Sequence, residues 1–235
     1  MINPIVISDF DGTITEQDVN DAIHTYYGDE KTMEIEEKFA NGEIGCYDSL
    51  SFHYNRLKID ESEFKKFVKN NIDIDPHFKD FYKNFIIKNN IEFAIVSGGF
   101  INYIKILFKR DNIDVDIPVF ANKLKFRGKD IEVNFLHEVK ENECHQDFGI
   151  CGNCKYKIIE KYKAKNKPII YIGDGLTDRC AVLEVDLVLA KKDHSLEEYC
   201  QEEDLDYYVF EDFKDVTQIL KNIIGKEEKR DEICL

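Results

Sequence analysis

The chain has 235 residues, 43% of them hydrophobic, which is enough to bury the core of one domain, with or without an insert, and excludes a disordered protein. With 47 acidic against 32 basic residues the formal charge is -15, which repels nucleic acid and anionic membrane surfaces and suits a small substrate or a cationic cofactor. Seven scattered cysteines, an odd number, do not make a secreted disulfide framework and read as reduced thiols.

The opening MINPIVISDFDGT lacks the basic segment and long apolar run of a signal peptide, so a cytoplasmic protein is expected. Residues 4–9 (PIVISD) read as a buried strand that ends on acids. Residues 16–75 carry no strand-like run and are expected to form four short helices, a helical cap domain inserted into a catalytic core made of 1–15 and 76–235. Inside that insert, Asp60-Glu-Ser-Glu63 is a capping pattern ahead of Phe64, Phe67 and Val68, and Gly42 can stop a helix running from Met33 to Ala40. Tyr26, Tyr27, Tyr47 and Tyr54 read as packing within it, and His24, His53 and His77 as half-buried helix residues.

Residues 76–90 form a helix with Pro76 in its first turn and Phe78, Phe81, Phe85 and Ile86 on one face. A second strand follows at 91–99 (IEFAIVSGG), then a helix near 100–110 and a small β-hairpin over 119–134 turning at Arg127-Gly128-Lys129. The third buried strand is 167–175 (KPIIYIGDG), with helices at 156–165, 176–185, 194–203 and 212–224 and a solvated end at 226–235. Strands alternating with helices imply an α/β fold with a doubly wound parallel sheet, whose ligand site lies at the carboxyl ends of the strands.

Three of those strand ends carry chemistry. Asp9 and Asp11 in DFDGT are two residues apart, so the strand period sends both carboxylates to one side before Gly12 turns the chain. One can attack an electrophile while its neighbour moves a proton, provided a cation lets the two anions coexist. Asp174 in GDGLTD adds a third acid, and hard carboxylate oxygens of this kind favour Mg²⁺. Ser97-Gly98-Gly99 offers a hydroxyl and backbone N–H groups ahead of a helix, which can cradle an anion.

DFDGT, VSGG and GDGLTD in this order resemble the signature of the haloacid dehalogenase superfamily of phosphatases, over residues 5 to about 190. The helical insert behind the first motif is similar to the cap of its phosphoserine phosphatase-like branch. CGNCK ahead of the last motif is similar to the 2-hydroxy-3-keto-5-methylthiopentenyl-1-phosphate phosphatases of methionine salvage, and phosphoethanolamine/phosphocholine phosphatases share cysteines just before a lysine. The resemblance implies Asp9 as nucleophile, forming an aspartyl phosphate, and Asp11 as the acid and later the base. It implies Mg²⁺ held by Asp9, the Asp11 carbonyl and Asp174 with Asp178 in support, and phosphate oxygens bound by Ser97 and Gly98. Lys155 completes the positive shell, with Lys157 and Lys161 as competitors. Such an enzyme hydrolyses a small phosphorylated metabolite.

Specificity falls on Asp18 and His53. Asp18 is placed either to meet a substrate amine or hydroxyl, or as a helix N-cap. His53 follows Ser49 and Leu50 where phosphoserine phosphatases carry a carboxylate-binding arginine, which counts against phosphoserine unless Arg56 takes that place. A methionine-salvage-like substrate is favoured, with phosphoserine, phosphoethanolamine, phosphocholine and cofactor monophosphates as alternatives. A phosphotransferase or mutase would use the same Asp9 and Asp11, and a receiver-like phospho-accepting module is disfavoured by the insert and by Asp11.

ECHQDFGICGNCK (143–155) packs three cysteines and a histidine into a short stretch. Structural Zn²⁺ at Cys144, Cys151 and Cys154 with His145 or His137 is one reading, and a regulated Cys151–Cys154 disulfide another. The preferred reading is a loop of reduced cysteines that places Lys155.

Overall fold

A computed structural model describes residues 3–113, 116–137 and 150–233, with side chains up to residue 224. The first apolar run forms β1 (Ile5–Ser8), fully buried as four consecutive apolar or small residues allow. Four helices follow it: α1 (Val19–Tyr27), α2 (Glu30–Ala40), α3 (Cys46–Arg56) and α4 (Glu61–Asn71). Three of the four start on an aspartate whose carboxylate accepts a backbone N–H of the first turn: Asp18 from Asp21, Asp29 from Thr32 and Asp60 from Glu63. The chain then returns through α5 (Phe78–Asp80), which continues as a π-helical segment Phe81–Ile87, into β2 (Glu92–Phe100) and α6 (Ile101–Arg110).

The remaining elements are β3 (Val119–Arg127), β4 (Asp130–Asn134), α7 (Lys155–Lys163), β5 (Ile169–Gly173), a 3-10 turn Leu176–Asp178, α8 (Arg179–Val182), β6 (Leu187–Lys191), α9 (Ser195–Glu202), β7 (Tyr207–Phe210) and α10 (Phe213–Ile233). One seven-stranded sheet has the order β4-β3-β2-β1-β5-β6-β7, parallel except for the β3–β4 hairpin. That hairpin turns between the paired Arg127 and Asp130, with Gly128 at φ 65°.

β1 lies between β2 and β5, with Ile5 opposite both Glu92 and Ile169. The chain builds outward from β1 on one side and then on the other, so the topological switch point falls at its carboxyl end, where Asp9 and Asp11 emerge. The two-residue strand period divides the core. Val6, Ile95, Ile172 and Leu189 face α4, α5, α6 and α10 through Phe64, Phe78, Ile104 and Val216, whereas Ile7, Val96, Tyr171 and Ala190 face α7, α8 and α9 through Ile158, Val182 and Leu196.

The sequence reading misses β6 and β7. Leu187–Lys191 is a five-residue run between helices that its length alone did not separate from helix, and Tyr207–Phe210 is a half-exposed edge strand without a long apolar signal. The helix expected at 176–185 is only the 3-10 turn and four-residue α8, because Asp178 turns back onto the loop it follows. The solvated end expected at 226–235 is helical as far as Ile233, a continuation of α10. Among the described residues, no helix is long and apolar enough to cross a membrane.

Candidate active site

β1 delivers Asp9 and Asp11 to the switch point, both buried. Gly12 follows at φ 73°, and a Cβ there would stand 2.3 Å from Asp174 Oδ2, so the turn admits only glycine. Asp11 Oδ2 accepts from Ser97 Oγ at 2.7 Å and from Tyr103 Oη at 2.8 Å. Its other oxygen, Oδ1, is buried without a hydrogen-bond partner among the described residues, and so is Asp9 Oδ1. Burial raises the Asp11 carboxyl to about 6 against the opposing pull of the Tyr103 and Ser97 hydroxyls. Burial also raises Asp9 well above the usual carboxylate range, with the Lys155 ammonium opposing it.

Lys155, the first residue of α7, is almost completely enclosed, with Nζ 2.9 Å from Asp9 Oδ2 and 2.6 Å from Asp178 Oδ1. Burial would lower its pKa, but the Asp178 and Asp9 carboxylates overcome that and hold it as an ammonium. The loop ahead of it is pinned from several sides. Asn153 Nδ2 donates to the carbonyls of Ser97 and Phe120, the Cys154 N–H donates to the His137 carbonyl, and Tyr47 N–H donates to Ile150 O. The competitor Lys161 points elsewhere, to His137 Nε2 at 3.3 Å on the surface.

Asp178 has four donors: Lys155 and Tyr171 Oη on Oδ1, the N–H groups of Asp174 and Gly175 on Oδ2. With both oxygens occupied it acts as a brace for the Asp174 loop. Asp174 accepts from Thr13 Oγ1 at 2.5 Å, and His194 Nδ1 lies 3.3 Å from its Oδ2. Carboxylate oxygens of Asp9, Asp174 and Asp178 lie within 4.8 Å of one another. This all-oxygen donor set, together with the unpartnered Asp9 Oδ1, fits a hard divalent cation such as Mg²⁺.

A cleft of about 380 Å³ opens over these acids, lined from the core by Asp9, Asp11, Gly98, Gly99 and Asp174 and from the helical insert by Asp18, Asp21, His24, Glu36, Ser49 and Leu50. Ser97 lies beneath this lining with its hydroxyl engaged by Asp11 and by the Gly99 N–H, and Gly98 reaches the surface of the cleft. Asp18 both caps α1 and faces the cleft, so its two expected roles coincide. His53 does not line it. Its Nε2 turns to Glu36 Oε1 at 2.5 Å and its ring stacks on His24, because α3 packs that face against α1 and α2. Arg56 also points away, to Asp29 at 2.5 Å.

Cys151 and Cys154 are not joined in a disulfide. Cys144 and His145 lie outside the described residues, and among the described residues no group of three metal-ligating side chains includes a cysteine. Tyr103, Tyr171, Thr13, His194 and Glu36 were not singled out from the sequence. Tyr103, His194 and Glu36 reach the site from elements outside the motifs, whereas Thr13 closes DFDGT and Tyr171 lies in the strand that runs into GDGLTD.

A family model described as "Putative Phosphatase" matches residues 4–224. The chain is 30% identical over 220 residues to a 2-hydroxy-3-keto-5-methylthiopentenyl-1-phosphate phosphatase of Bacillus mycoides (strain KBAB4), covering 93% of this chain and 96% of that protein. It is 27% identical over 246 residues to the polyol phosphate phosphatase PYP1 of Saccharomyces cerevisiae, covering 97% of each. Among solved structures, a phospho-aspartyl intermediate analogue of phosphoserine phosphatase superimposes with a TM-score of 0.67 at 22% identity, over 93% of this chain and 99% of that one. At that identity the superposition speaks for the fold alone.

Proposed function

The chain belongs to the phosphatase family whose model spans residues 4–224, and from that premise we propose that it is a Mg²⁺-dependent phosphatase hydrolysing a small phosphomonoester through an aspartyl phosphate on Asp9. The observation that carries this reading is the pair of buried, unpartnered oxygens, Asp9 Oδ1 and Asp11 Oδ1, on side chains two residues apart beside a buried ammonium. Residues 16–75 act as a cap over a catalytic core made of 1–15 and 76–235.

Asp9 attacks phosphorus in line, forming the Asp9–phosphorus bond as the bond to the alcohol oxygen breaks. Asp11 has Oδ2 saturated by Ser97 and Tyr103, so its proton sits on Oδ1 and passes to the departing oxygen. The same Oδ1 then takes a proton from water as it displaces Asp9 and releases phosphate. Lys155 balances the charge on Asp9 throughout, and the Gly98 and Gly99 edge receives phosphoryl oxygens. Asp9, the Asp11 carbonyl and Asp174 would hold Mg²⁺, which would supply charge neutralisation for the phosphoryl group, with Asp178 fixing the Asp174 loop.

The cap wall of the cleft supports a choice among substrates. It presents Asp18, Asp21, Asn20 and Glu36, and among the described residues no lysine or arginine lines the cleft. Acids suit hydroxyl or ammonium groups and repel a substrate carboxylate, which disfavours phosphoserine. A methionine-salvage-like enol phosphate, the substrate in the name of the Bacillus mycoides relative, is favoured, and a polyol phosphate is the second choice because of the same acid-lined wall.

The test is phosphate release from a panel of phosphomonoesters, with and without a chelator, combined with acid-quench labelling of the enzyme. Label on Asp9 that is lost in Asp9→Asn and turns over to free phosphate is the expected result. Turnover without labelled enzyme, or transfer of the label to an alcohol in place of water, overturns the hydrolytic reading, and a preference for phosphoserine overturns the substrate choice.

A further inference from the structure

His24 of α1, Glu36 of α2 and His53 of α3 meet inside the helical insert, with His24 and Glu36 at the cap wall of the cleft over the strand-end acids. His24 Nδ1 lies 2.8 Å and His53 Nε2 lies 2.5 Å from the same oxygen, Glu36 Oε1. The two imidazoles stack with centroids 3.8 Å apart, and both are more than nine-tenths buried. One nitrogen from each ring and a Glu36 oxygen lie within 4.8 Å of one another.

Hydrogen bonds within the trio leave His24 unsatisfied in every protonation state. Its Nε2 is buried with no partner among the described residues. With the proton on Nδ1, the Nε2 lone pair has no donor. With the proton on Nε2, that N–H has no acceptor and the Nδ1 lone pair faces the Glu36 carboxylate at 2.8 Å, an unfavourable contact. With both nitrogens protonated, the buried Nε2–H is still unsatisfied, and a charged ring stacks on a second imidazole. A cation shared by Nδ1 and the carboxylate turns that repulsive contact into two bonds and leaves the Nε2–H as the one unsatisfied group of the ring.

We propose that His24, Glu36 and His53 form a metal site in the helical insert that takes Zn²⁺, tying α1, α2 and α3 together. Two imidazole nitrogens and one carboxylate oxygen are a donor set of borderline softness that suits Zn²⁺ better than Mg²⁺ and leaves a position for water. The site is separate from the Asp9, Asp174 and Asp178 cluster and stands whether or not that cluster performs phosphoryl transfer.

The test is zinc binding by untagged, chelator-stripped protein in excess Mg²⁺, read by calorimetry and elemental analysis, for the wild type and for Asp174→Asn. One Zn²⁺ per chain in both, with a raised melting temperature, is expected. His24→Gln and His53→Gln keep a hydrogen-bond donor toward Glu36 but remove the imidazole ligand, and should weaken binding about tenfold or more. Co²⁺ in the same site should give a visible spectrum without a sulfur-to-metal charge-transfer band. Substoichiometric zinc in the wild type overturns the proposal without recourse to any variant. So does zinc binding that is unchanged in the histidine variants, or lost only in Cys151→Ser and Cys154→Ser.

Discussion

Lys155 Nζ stands 2.9 Å from Asp9 Oδ2, an ammonium and a carboxylate paired where almost no solvent reaches either. A pair this buried is bound to its surroundings in both directions: Lys155 opposes the burial that raises the Asp9 carboxyl, and Asp9 with Asp178 keeps Lys155 protonated. Lys155→Met leaves two buried carboxylates without their cation. We expect a loss of kcat/KM of at least about a hundredfold and a loss of stability of about 3–5 kcal/mol. Arginine at 155 should not rescue, since the enclosed site has no room for the guanidinium fork. Steady-state kinetics with urea unfolding checks both, and activity within about a factor of three of wild type would remove Lys155 from the machinery.

Asp11 is assigned the proton that leaves with the alcohol, so its importance should follow the leaving group. Asp11→Asn is expected to lower kcat on an alkyl phosphate by about 10²–10⁴ and to spare p-nitrophenyl phosphate by comparison, since that leaving group needs no proton. Equal losses on both substrates would contradict the assignment.

Gly99 is required by close approach. A Cβ there would fall 1.4 Å from Tyr103 Oη and 2.5 Å from Asp11 Oδ2. Gly99→Ala should therefore displace Tyr103, cost about 1–3 kcal/mol of stability by overpacking, and lower kcat. Adding Tyr103→Phe removes the nearest atom and leaves ring carbon Cζ at 2.6 Å, so the double variant should recover part of the stability and none of the Tyr103–Asp11 hydrogen bond.

His24 in the insert makes stability pH-dependent when chelator keeps zinc away. Burial lowers the His24 pKa, against the Glu36 hydrogen bond that would raise it. The unfolded chain then binds the proton more readily, so the contribution of His24 is fully present above the unfolded value of about 6.5 and declines as pH falls below it. Glu36, brought to about 2 by the His24 and His53 hydrogen bonds against the effect of burial, adds a second decline only below about 4.5, its ordinary value. The urea-midpoint advantage of the wild type over His24→Gln should shrink from about pH 8 to about pH 5, a comparison in which the buried acids with raised pKa, Asp9 and Asp11 among them, are common to both proteins. A midpoint difference between the two proteins that does not move over that range would refute the assignment.

The residues gathered at the strand ends were legible because local rules govern them. A strand sends alternate side chains to one side, so Asp9 and Asp11 in DFDGT had to emerge together, and apolar runs at 4–9, 91–99 and 167–175 had to be buried strands. The order of DFDGT, VSGG and GDGLTD carried the resemblance, and CGNCK pointed to Lys155 before its contacts were known. β6 and β7 were not legible, since five and four residues at a sheet margin carry too little periodicity to separate strand from helix.

What the sequence determined by itself was the α/β frame and the identity of the acids, the lysine and the serine–glycine edge. Only the tertiary structure decided what those groups can do. Tyr103 and Asp11 are 92 residues apart, and their hydrogen bond occupies Asp11 Oδ2 while Oδ1 is left without a partner among the described residues. His53 looked like a substrate contact by position, yet the packing of α3 on α1 and α2 turns it to Glu36 and away from the cleft. Spacing along a chain fixes the direction of a side chain within its own element. Its partner is fixed by how whole elements pack, and that is settled by the core.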